Sequence, residues 1–130
     1  MRFTEHELTA ALNGVAKQLL ASDRKLRRKG VDPETAWAEM DRYQRFRMLD
    51  ALGDQVLPVL VALPDVDVAP GTRPTYDDKV VSEVVSGLLG EGRGRVRRAA
   101  EVKARTALVQ LALASIPPRL DPDALLTGES

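Results

Sequence analysis

The chain has 130 residues, 44% of them hydrophobic and 29% charged, with 19 basic residues balanced by 19 acidic ones. That length suits one domain able to bury a core without staples, and zero net charge confines any nucleic-acid footprint to a local patch. With no cysteine and the single histidine His6, the composition excludes disulfides, thiolate nucleophiles and a structural zinc site.

The longest apolar run, Val56 to Leu63, is far too short to cross a bilayer and contains Pro58. The N-terminus places Glu5, His6 and Glu7 where a signal peptide would carry cations and then a continuous apolar stretch. The expectation is a soluble cytoplasmic protein with no membrane partner. Arginine outnumbers lysine, and alanine, valine, leucine and aspartate are abundant, as the codon bias of a GC-rich bacterial genome would give.

Thr4 and Glu7 predict a capping box, with Phe3 and Leu8 as its hydrophobic staple. Leu8, Ala11, Leu12, Val15, Ala16, Leu19 and Leu20 follow on one face of a helix that should run to Gly30. Arg24 to Lys29 put cations at its negative end, which reads as a solvated, dipole-matched terminus.

Asp32-Pro33 predicts the start of a second helix, passing through Trp37, Met40, Tyr43, Met48, Ala51 and Leu52. Gly53 should end or bend it, and Pro58 should break or kink the apolar segment that follows. Pro64 to Pro74 reads as an extended surface connection. Thr75 with Asp78 predicts the cap of a third helix, whose stripe is Val80, Val81, Val84, Val85, Leu88 and Leu89.

The fourth helix is expected from about Arg95 to Ile116, stopped by Pro117-Pro118. Its expected apolar face holds Val96, Ala100, Ala104, Ala107, Leu108, Leu111 and Ala114, with Arg97, Glu101 and Arg105 paired along the exposed side. Asp121-Pro122 is one more start signal, and Thr127 to Ser130 should fray. The fold class is therefore all-α: a four- to five-helix bundle with one extended, proline-rich connection between two helical halves. Residues 1–118 form a single helical domain, and 119–130 a short helical or disordered tail.

Two segments stand out as candidate sites. Gly90 to Arg98 sets three glycines among Arg93, Arg95, Arg97 and Arg98 at a helix start, where cations face the positive end of the dipole. Those arginines could grip phosphate or nucleic acid, pair with Glu91 or Glu101, or meet a partner protein. The acids of the preceding connection, Asp65, Asp67, Asp77 and Asp78, are the nearest internal counterions in sequence. Asp77 to Leu89, a turn and a helix from Arg95 also match a helix-turn-helix loosely, although the turn is rich in glycine and the chain is not basic. No phosphate-loop ending follows the glycines.

The second helix carries the other segment. Arg47 falls among Trp37, Met40 and Tyr43 on one face, where a half-buried guanidinium needs a partner, and Asp50 lies in reach. Phe46 points away from that face beside Arg42, Arg45 and Leu49, so the helix is apolar on more than one side. Trp37, Tyr43, Phe46, Arg47 and Asp50 are thus the expected partner interface. His6 between two glutamates reads as a solvated side chain. No acid–base carboxylate pair and no nucleophile elbow stands out. The expectation is a non-enzymatic helical interaction or adaptor module, self-associating or bound to a protein partner, without cofactor or metal. The alternative is a regulatory protein that binds nucleic acid or phosphate through the segment 90–98.

Overall fold

Thr4 opens the first helix as its spacing to Glu7 predicts. Its hydroxyl accepts the Glu7 amide at 3.1 Å, while the Glu7 carboxylate accepts the Thr4 amide at 2.9 Å. The computed structural model of the chain describes residues 1–90, 92 and 94–119, and these form six α-helices and no strand. The expected start signal at Asp121-Pro122, the fraying end and Arg93 lie outside the described residues. No helix among the described residues is long and apolar enough to cross a membrane.

α1 spans Glu5–Ala21 and ends at Ser22 rather than continuing to Gly30. The reason is Asp23, whose carboxylate accepts the amides of Lys25 and Leu26 and begins a new helix, α2, Arg24–Lys29. Gly30 does act as the stop: its φ of 70° is left-handed, and the amide of Val31 turns back to the carbonyl of Leu26.

The second expected helix is also two. Asp32 caps α3, Pro33–Glu39, and Asp41 with Gln44 forms a second capping box that starts α4, Arg42–Ala62. Met40 between them is extended, with ψ of 139°. Trp37 and Tyr43 therefore do not share a helix face, as a single helix would have required. Neither Gly53 nor Pro58 interrupts α4. Proline at 58 removes one bond to the carbonyl of Asp54, and both residues are exposed, so water can satisfy that carbonyl.

α5, Asp78–Leu89, starts after Asp77 rather than Thr75. Tyr76 holds the incoming chain extended, its hydroxyl donating to the carbonyl of Pro64 and its own carbonyl accepting from Gln110. α6, Arg95–Ser115, ends before the two prolines as expected.

α1 is the hub, packing on α6, α4 and α3, while α5 covers α6 and α4. The core comprises Ala11, Val15, Val56, Leu60, Leu63, Val81, Val85, Val109 and Ile116, all nearly or fully buried. Each larger aliphatic among them contributes about 1.5–3 kcal/mol. The phase expected for α6 is wrong at its small residues: Val96, Ala100, Ala104, Ala107 and Ala114 are exposed, Leu108 and Leu111 are half-buried against the core, and Thr106, Val109, Ala112 and Leu113 are buried. Alanine is too small to reveal which way a helix faces.

α1 and α6 approach closely at Gly14. A Cβ there would lie 2.0 Å from the Ser115 Oγ and 2.2 Å from its Cβ. The proline-rich connection is extended, as expected, and it is also pinned. Gly71 donates its amide to the carbonyl of Arg119, and Arg119 donates to that of Thr72. The Arg73 guanidinium reaches the carbonyl of Ala114 at 2.9 Å.

Candidate functional site

Arg119, placed by the sequence in the tail, belongs structurally to the body. Its guanidinium bonds the buried Glu7 carboxylate through two nitrogens and the Arg2 carbonyl at 2.9 Å. Burial pushes the Glu7 carboxyl up, but hydrogen bonds and charge from Arg119 and Thr4 outweigh it and hold the group below its ordinary value of 4.5. Arg119 thus ties the start of α1 through its side chain and the proline-rich connection through its backbone, just beyond the end of α6. Nothing local in the sequence marks this pair, because its partners lie at opposite ends of the chain.

The glycine–arginine segment resolves residue by residue. Arg98 turns away from solvent and donates to the Ser86 carbonyl at 2.5 Å, to the Ser86 hydroxyl at 3.0 Å and to the Gly90 carbonyl. Those carbonyls are the unsatisfied negative end of α5, so the arginine that is misplaced on its own helix is well placed on its neighbour. Arg97 lies 3.9 Å from Glu101 on the exposed side of α6. Arg95 is exposed, and no ion pair among the described residues engages it. None of Asp65, Asp67, Asp77 and Asp78 pairs with Arg95, Arg97 or Arg98; Asp65 instead lies 3.6 Å from the N-terminal ammonium.

Two grooves among the described residues combine apolar lining with charged borders. The first lies along the outer face of α4, where Phe46 is 63% exposed and Val61 is 62% exposed. Leu49, Gly53, Leu57 and Pro58 join them along a groove of about 700 Å³, bordered by Asp50 and Asp54 and by Leu12 of α1. Arg47 is exposed rather than half-buried, and stacks over the Tyr43 ring at 5.9 Å instead of pairing with Asp50. Trp37, on α3, packs against the core, away from this face. The stripe Phe46, Leu49, Gly53, Leu57, Val61 was legible as a helical period, but taking Pro58 as a break hid its second half.

The second surface is a groove of about 990 Å³ between α5 and α6. Val102, Thr106 and Leu111 form its floor, and the exposed Lys79, Arg95 and Lys103 stand at its rim. Thr106 is buried, and its hydroxyl has no hydrogen-bond partner among the described residues. Lys79 and Lys103 drew no notice in the sequence because they are isolated cations there; only packing of the two helices brings them together. No group of histidine, cysteine, aspartate or glutamate among the described residues is arranged to hold a metal ion.

No protein-family model, no curated protein and no solved structure matches this chain.

Proposed function

We propose that the protein is a non-enzymatic helical interaction module that self-associates through the outer face of α4. The observation that carries this reading is the pair of protruding side chains Phe46 and Val61, each more than three-fifths exposed, at the two ends of one apolar stripe. A large aromatic held in water on a rigid helix gains by burial, and anchors of that kind dominate the energy of association. Tyr43, Arg47 and Asp50 lie beside the stripe and belong to its polar rim; Trp37 supports α3 from within. A cytoplasmic setting is part of the same proposal.

Sedimentation velocity over a range of concentrations tests it. The wild-type chain should form oligomers in the micromolar range, and Phe46→Glu should weaken them at least tenfold while leaving helicity by circular dichroism unchanged. A wild-type monomer at 100-fold higher concentration would reject the proposal.

Nucleic-acid or phosphate binding through Arg93, Arg95, Arg97 and Arg98 has less support, because Arg98 is committed to α5 and Arg97 neighbours Glu101. Retention of duplex DNA or RNA at low salt, with a log–log salt slope of about −3 or steeper, would restore it.

A further inference from the structure

We infer that the α5–α6 groove is the receptor for α4 of a second copy, so that the chains associate head to tail. This rests on the self-association proposed above and adds where the α4 stripe docks. The two surfaces are complementary in three respects.

Their charges are opposite. The charged lining of the α4 groove is Asp50 and Asp54, with Arg47 outside it, stacked over Tyr43, and the α5–α6 groove carries Lys79, Arg95 and Lys103 at its rim. Among the described residues, no ion pair engages either of those acids or any of those cations, so all five charges are available to a partner. The groove also contains Arg98 and Asp78, both used internally: Arg98 by the end of α5 and Asp78 by Gln110. Their lengths agree as well. Phe46 to Val61 covers about 22 Å of helix and Arg95 to Leu111 about 24 Å, at 1.5 Å per residue. Both carry apolar side chains along their length, Leu49 and Leu57 on one and Val102, Ala107 and Leu111 on the other. A nucleic acid would use the cations but gain nothing from that apolar floor.

Docking of α4 against α4 about a two-fold axis would leave the basic groove unused. A head-to-tail contact is heterologous and produces a closed ring or an open chain of subunits.

Mixing two variants, each defective in one surface, separates these arrangements. Phe46→Glu disables the stripe, and Arg95→Glu/Lys103→Glu disables the groove; all three positions are exposed, and circular dichroism with thermal melting checks that each variant folds. Each alone should sediment as a monomer at concentrations where wild type is oligomeric. Their equimolar mixture should form a dimer and nothing larger, since one intact stripe meets one intact groove. Asp54→Lys alone should weaken association several-fold, and combining it with Lys103→Asp in the same chain, so that every stripe–groove contact carries the exchanged pair, should recover most of that loss. Wild-type oligomers that persist in Arg95→Glu/Lys103→Glu, or a mixture that stays monomeric, would overturn the head-to-tail contact while leaving self-association through α4 intact. A monomeric wild type would overturn both. Groove variants that lose binding to DNA but keep their oligomeric state would assign the cations to nucleic acid and overturn the inference as well.

Discussion

Arg119 grips Glu7 through two hydrogen bonds, 2.9 Å from Nε to Oε2 and 3.2 Å from Nη2 to Oε1, joining residues 112 positions apart. The Glu7 side chain is only 7% exposed, so removing its partner leaves a carboxylate in a poor solvent. Arg119→Ala should therefore cost about 2–4 kcal/mol in urea unfolding. Arg119→Lys should recover only part of this, because an ammonium cannot reproduce the planar fork. An Arg119→Ala variant as stable as wild type would show that the pair does not stabilise the fold.

The same pair sets an acid limit. The folded Glu7 carboxyl titrates below its ordinary value of 4.5, so its contribution is complete above that pH and disappears as pH falls through the depressed folded value. Glu7→Gln keeps an oxygen for the capping box but removes the titration. Thermal melts between pH 7 and pH 3 should show wild type losing more stability than Glu7→Gln below about pH 4.5. Parallel acid limbs would contradict the assignment.

Gly14 and Ser115 should behave as a coupled pair. A methyl at 14 cannot coexist with the Ser115 Cβ at 2.2 Å, so Gly14→Ala should cost about 1–3 kcal/mol despite alanine's better helix propensity. Ser115→Gly removes the obstructing atoms, and on that background Gly14→Ala should become neutral or stabilising. A double-mutant cycle in denaturant measures the coupling, expected above about 1 kcal/mol. Additive effects would mean that the helices do not meet at this point.

Of Arg95, Arg97 and Arg98, only Arg98 should matter to stability. Arg98→Ala strips charge-assisted bonds from the end of α5 and should cost about 1.5 kcal/mol. Arg95→Ala and Arg97→Ala should remain within about 0.5 kcal/mol of wild type. Equal effects at all three positions would remove the distinction between a helix cap and exposed cations.

The sequence made the helical class, the Thr4 and Asp32 caps, the stop at Gly30 and the span of α6 legible, because each depends on neighbours within a few residues. It concealed the breaks at Asp23 and Asp41, where a capping aspartate sits inside an otherwise continuous apolar pattern and competes with the helix running through it. It misphased α6, where alanines outnumber larger apolar residues in the first half. Of the candidate surfaces, the protrusion of Phe46 was readable from its angle to the apolar face. The role of Arg98 was not, since its acceptors are backbone carbonyls that no residue type announces. The rim of Lys79, Arg95 and Lys103 depends wholly on how two helices pack.

Self-association as proposed puts the outer face of α4 between copies of this chain. Sedimentation velocity of wild type beside Phe46→Glu and Val61→Glu tests it most directly. Wild type should form concentration-dependent oligomers in the micromolar range, and both variants should be folded monomers. A wild type that sediments as a single monomeric species throughout, or variants that associate as wild type does, would contradict it.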